Sequence, residues 1–291
     1  MQHHRKRIGL ACAASAFWVA CFSTHAAATS DDEAGLRINL AGYQRALTQI
    51  VAKSACFAHV QADNSDHLAE MSRSAEEFEA TYAGFLEGSD SLGLTAELSA
   101  VVITAIEEAK RAWAPMKAAI ANIEATGTVS RADLQALATN ANIAFAKANA
   151  TVDAMVASYA TDGDVETARA KTINAAGAQR SRAQRSAKDF CMIAARIDVA
   201  AHREELRATV ARFDQVLSDL KSGENGLETP GPRIAEELER VGVIWRKLTP
   251  ELDGVLAGGT PDQGVIGVVA VQSNRVLREM NRAVYRYTIT D

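Results

Sequence analysis

Apolar residues recur at helical spacing along nearly the whole chain, and no stretch keeps the alternation of a half-buried strand. The pattern predicts helices from about Ser30 to Val60, Asp66 to Glu87, Thr95 to Thr126 and Ser130 to Tyr159, with a final one from about Pro261 to Tyr287. Asp31, Asp32 and Glu33 suit the positive end of the first helix dipole. Asp63-Asn64-Ser65-Asp66 reads as a break or a fresh cap, with a continuous helix as the alternative. Gly88 and Gly223 read as helix stops. Only 5 of the 291 residues are proline. The expected fold class is all-α.

One stretch occurs twice. Ile38 to Cys56 reads INLAGYQRALTQIVAKSAC, and Ile173 to Cys191 reads INAAGAQRSRAQRSAKDFC, an ungapped offset of 135. Ten of the 19 aligned positions are identical. About one or two would match by chance, so the chain carries an internal duplication. Later landmarks extend it. Phe78 matches Phe213 at the same offset, and Trp113 matches Trp245 at 132, after a loop shortened by three. In the fourth helix, Asn149 and Met155 are matched to Asn274 and Met280. Four helices per copy predict two tandem up-down four-helix bundles, over residues 30–161 and 164–291, with Asp162-Gly163-Asp164 as the turn between them.

Within the repeat, Ile38, Gly42, Arg45, Gln49, Ala52 and Cys56 form one stripe on a helix, mirrored by Ile173, Gly177, Arg180, Gln184, Ala187 and Cys191. This is an odd seam, with small residues where helices would touch and an Arg and a Gln in its middle. Glycine inside a helix costs roughly 1 kcal/mol relative to alanine, so close approach of a backbone or ligand is its expected use. A buried Arg needs something to pair with its charge. Two on matching helices repel unless an anion sits between them. The alternative is that both are rim residues paired with nearby Asp or Glu.

The pattern Ile-Asn-x-Ala-Gly-x-x-Arg, followed by Gln, resembles the PilJ/NarX-type sensor domain: the N-terminal domain of type IV pilus chemotaxis transducers and of nitrate/nitrite-sensing histidine kinases. Where the pilus type usually has Arg-Met-Leu-Ser-Gln, this chain has Arg45-Ala46-Leu47-Thr48-Gln49 and Arg180-Ser181-Arg182-Ala183-Gln184. In that family the segment lies on the first helix of an antiparallel four-helix bundle. In the nitrate-sensing branch the anion sits at a dimer interface between two such helices. The resemblance implies Arg45 and Arg180 as anion ligands, with Gly42 and Gly177 offering backbone beside them; Gln49 and Gln184, one turn on, are expected to close the anion site. An even number of up-down helices returns the chain to its starting end, so helices one and five can lie parallel. The chain then reads as an intrachain pseudo-dimer, the alternative being two bundles end to end. In the paired arrangement Cys56 and Cys191 are candidates for a disulfide, or else two buried thiols inherited from one ancestral position. A bond there implies that the arginines, 11 residues away along the same stripes, are also close.

Residues 1–28 read as a cleaved signal peptide. His3 to Arg7 form a positive n-region, Ile8 to Phe22 an apolar run too short for a comfortable span, and Ala26-Ala27-Ala28 a cleavage site. The alternatives are an uncleaved anchor or lipidation at Cys21. Cleavage removes three basic and no acidic residues, leaving 28 Lys+Arg against 36 Asp+Glu, a charge of −8. That excludes nucleic acid or an anionic membrane surface as the expected partner, and means that any anion site must be built locally.

No Gly-rich phosphate loop, haem motif, H-E-x-x-H or G-x-S-x-G occurs, so neither enzyme activity nor a cofactor is expected. His59, His67 and His202 have no carboxylate spacing that completes a metal site. Trp113 and Trp245 read as core. Arg182, Arg185 and Lys188 read as a solvated face or an attractor for an anion or acidic partner. The expectation is a periplasmic protein that binds or senses a small oxyanion, nitrate or nitrite by resemblance. It would act without its own signalling domain, and through a membrane sensor, transporter or reductase. The alternative is a structural module that docks on a membrane sensor, transporter or pilus-related complex with no ligand.

Overall fold

The computed structural model describes residues 31–61, 63–161 and 166–289. The expected leader over 1–28, Cys21 and the turn Asp162-Gly163-Asp164 lie outside the described residues. Eight α-helices account for most of what is described: α1 (Asp31–Val60), α2 (Ser65–Glu87), α3 (Ala100–Thr126), α4 (Arg131–Thr161), α5 (Thr167–Ala194), α6 (Val199–Ser222), α7 (Pro232–Leu256) and α8 (Gln263–Thr288). None of them is long and apolar enough to cross a membrane.

In the first half α1 packs on α2 and α4, and α3 on α4; in the second α5 packs on α6 and α8, and α7 on α8. These are two four-helix bundles. They meet along α1 and α5, which form the most extensive helix pair of the molecule. The pair is parallel and in register. A Cβ placed on Gly42 or on Gly177 would lie 4.0 Å from the other's Cα. Cys56 and Cys191 form a disulfide, with Cα atoms 6.0 Å apart. Both pairs keep the offset of the duplication, so the chain folds as an intrachain pseudo-dimer. One hydrophobic cluster runs through both bundles, from Ile38 and Phe57 to Trp245 and Met280.

Equivalent stops end the second helix of each half. Gly88 and Gly223 have φ of +83° and +71°, and each donates its N–H to a carbonyl four residues back. The shared left-handed backbone explains why both positions are glycine.

Two expectations need correction. The third helix starts at Ala100 rather than near Thr95. Glu97 is buried, pairs with Arg37 at 3.0 Å, and takes the backbone N–H groups of Leu98 and Ser99. Those bonds hold 95–99 as an irregular strap before the helix begins. The matching of Asn149 with Asn274 is also wrong by seven residues. Gln49 reaches the Ala141 carbonyl and Gln184 the Ser273 carbonyl, while Arg45 reaches Asn149 and Arg180 reaches Asn281. The offset is therefore still 132 in the fourth helix, and Asn149 corresponds to Asn281. Seven residues are about two helical turns, so the misplaced alignment kept the same face and looked equally good.

Candidate functional site

Arg45 on α1 and Arg180 on α5 are 1% and 3% exposed. Each reaches across the helix pair to an asparagine of the opposite box. Arg45 Nη1 donates to Asn174 Oδ1 at 2.7 Å, and its Nη2 to the Asn174 carbonyl at 3.1 Å. Arg180 repeats this on Asn39, at 2.8 Å for both bonds. The second Nη1 bond goes to the fourth helix of the same half: to Asn149 at 2.9 Å from Arg45, and to Asn281 at 3.2 Å from Arg180. Each Nε donates to the carbonyl of its own box glycine at 3.4 Å.

Four of the five N–H groups on each guanidinium are thus taken, all by neutral oxygens. The remaining one is on Nη2. Both Nη2 atoms border one spot, 3.1 and 3.2 Å from a Cβ built on Gly42 and 3.2 Å each from one built on Gly177. The glycines leave space there that any side chain would fill. The amides satisfy hydrogen bonding but cancel no charge. Burial accordingly pushes Arg45 down to about 9, with Arg180 and Arg182 adding repulsion. Burial pushes Arg180 down to about 10, against the pull of Tyr43 and Glu77. The Arg180 guanidinium also lies 5.2 Å from the Tyr43 ring centroid, a favourable cation–π contact that the first half lacks, since Ala178 replaces Tyr43 there.

Gln49 and Gln184 are fully buried one turn further on. Their Nε2 groups donate to the Ala141 and Ser273 carbonyls, at 3.2 and 2.9 Å, so their donors tie α1 to α4 and α5 to α8. Their Oε1 atoms have no protein partner. The groups that touch the arginines are instead Asn39, Asn174, Asn149 and Asn281. The sequence carried a signal for the first two, which are identical in the repeat and lie on the box itself. The other two come from distant helices, with nothing local to single them out.

A second buried polar layer flanks the disulfide. Lys53 Nζ donates to Asn274 Oδ1 at 2.7 Å and pairs with Glu70 at 3.0 Å. Its counterpart Lys188 donates to Asn142 Oδ1 at 3.1 Å and pairs with Asp189 at 3.2 Å. Each lysine thereby binds the other half's fourth helix. Asp189, His202 and Glu205 bring one ligand atom each within 4.8 Å of one another. Lys188 and Arg185 already neutralise these acids, Arg185 lying 3.1 Å from Glu205, so the cluster is an ion-pair network rather than a vacant cation cage. Trp113 and Trp245 are buried against Phe78 and Phe213, with ring centroids 4.0 and 3.8 Å apart, and belong to the core.

Fold and site together define a sensory helical bundle duplicated within one chain, with its two box helices paired. The chain belongs to the PilJ family, the N-terminal domain of type IV pili methyl-accepting chemotaxis transducers, whose sequence model matches residues 26–139 and 164–265. The two matched segments agree with two tandem copies. No curated protein matches the chain. The family makes the protein a sensing module related to chemotaxis.

Proposed function

We propose that this protein is a periplasmic sensor or carrier that binds one small oxyanion, nitrate or nitrite, between Arg45 and Arg180. The observation that carries the reading is the pair of buried guanidiniums with no carboxylate bonded to either among the described residues, their spare Nη2 donors bordering one glycine-lined spot. A planar trigonal anion matches planar, fork-shaped donors and supplies the missing charge. Gly42 and Gly177 give it room, and Gln49 and Gln184 hold the flanking helices in place. The buried disulfide suits an oxidising compartment. The bound state passes to a membrane sensor, transporter or reductase.

Thermal unfolding with millimolar nitrate, nitrite, sulfate and chloride tests this. Nitrate or nitrite raises the midpoint selectively, corresponding to about 2.7 kcal/mol at a hundredfold excess over Kd. The Arg45→Ala/Arg180→Ala double variant loses the shift. A double variant that responds as the parent does, or a parent indifferent to every anion, sinks the proposal and favours a docking module.

A further inference from the structure

The two halves differ sharply where α4, α5 and α6 meet. A cavity of about 420 Å³ lies there, lined by Arg182, Arg185 and Arg212, by Glu204 and Glu205, and by Phe145. The first half's counterparts of the three arginines are Leu47, Ile50 and Glu77, and the second half's counterpart of Phe145 is Leu277. Three positions that are apolar or acidic in one copy are therefore all arginine in the other, and they line one groove. A solvated surface has no reason to change in this concerted way.

The charges do not cancel locally. Glu205 is engaged by Arg185 at 3.1 Å, and Glu204 by Arg207 at 2.8 Å. Arg185 also lies over the Phe145 ring, 5.8 Å from its centroid, which fixes both side chains as one wall. Arg182 donates to the neutral Gln179 Oε1 at 2.8 Å. Among the described residues neither Arg182 nor Arg212 forms an ion pair with a carboxylate. Burial pushes Arg182 down to about 10, and Arg212 adds repulsion. The partly buried Arg182 and the exposed Arg212 thus share a groove, neither paired with a described carboxylate, on a chain whose net charge is −5. Ligand cavities run to roughly 300–1,000 Å³, far more than a triatomic or tetratomic anion fills.

We infer that this groove is a second ligand site, for a small organic dianion of the dicarboxylate class, with Arg182 and Arg212 on its two carboxylates and Phe145 against its carbon chain. The site stands apart from the Arg45–Arg180 pair and does not rest on the nitrate reading. Its three arginines come from the second copy and Phe145 from α4 of the first, and the equivalent groove of the other half carries none of these arginines, so duplication followed by divergence gives one chain two anion specificities.

Isothermal titration of the purified protein with succinate and malate, with acetate as the monoanion control, tests it. Succinate or malate binds, and acetate does not. Arg182→Leu and Arg212→Glu install what the first copy carries at the same places, so the fold tolerates them. Each weakens binding at least about tenfold. The Arg45→Ala/Arg180→Ala variant retains it. Absence of binding by both probes, unchanged affinity in both groove variants, or loss only in Arg45→Ala/Arg180→Ala overturns the inference.

Discussion

A guanidinium buried beside another is governed by the atoms within its reach. Arg45 and Arg180 find amide and carbonyl oxygens, which accept hydrogen bonds but leave two positive charges uncompensated in a low-dielectric interior. Their pKa values fall for that reason. The box glycines set how near the two Nη2 atoms come. Alanine at Gly42 and Gly177 would place a methyl group 3.1–3.2 Å from them, closer than such contacts normally run. The same change improves helix propensity by roughly 1 kcal/mol at each position. The Gly42→Ala/Gly177→Ala variant therefore sets a gain in helix propensity against crowding of both Nη2 atoms, and is expected to unfold, without anion, within a few degrees of the parent midpoint, yet to show no anion-induced shift. Thermal melts with and without nitrate read both effects at once, and a retained shift would remove the glycines from the site.

At the scale of elements, α1 and α5 are unusual because they are buried on most faces while remaining polar. Arg169, Thr172, Gln179, Arg180, Ser181, Gln184, Ser186 and Lys188 of α5 all lie inside the molecule. Such a helix is stable only where neighbours answer its polar groups, as Asn142 and Asn274 do for Lys188 and Lys53. The disulfide ties this pair across 135 residues. Closing a loop of that length constrains the unfolded chain by about 4–5 kcal/mol in the chain-entropy model. Cys56→Ala/Cys191→Ala should lower the stability measured by urea unfolding by an amount of this order. A loss below about 1 kcal/mol would mean that the oxidised unfolded chain is hardly more constrained than the reduced one. The late start of α3 belongs to this scale too. The periodicity from Thr95 onward is genuine, but Glu97 turns inward to Arg37 and uses its carboxylate on the backbone N–H groups of Leu98 and Ser99. A partner 60 residues away therefore decides where the helix begins.

For the whole molecule, the continuous core and the shared central pair predict that the two bundles unfold as one cooperative body. Trp113 reports on the first and Trp245 on the second, each stacked on its own phenylalanine. In the chain without residues 1–28, which carry Trp18, the variants Trp113→Phe and Trp245→Phe each keep one tryptophan, and should unfold in guanidinium with fluorescence midpoints that coincide with each other and with loss of helical circular dichroism. Separated midpoints would show two bundles tethered rather than fused.

The sequence by itself determined what is local or repeated: the helical period, the glycine stops, the duplication, and a stripe carrying Gly, Arg, Gln and Cys twice. Each depends on residues within a few turns or on comparison of the chain with itself. Tertiary structure alone decided that the two boxes face each other in register rather than standing end to end. It also decided that the arginines rest on Asn39, Asn174, Asn149 and Asn281 rather than on acids, and that the fourth helices correspond at an offset of 132. The physical reason is the same in each case. A helical face looks alike after every seven residues, so periodicity says which side is buried but not at what height or against which partner. Height and partner come from packing between segments more than a hundred residues apart, which no local pattern encodes.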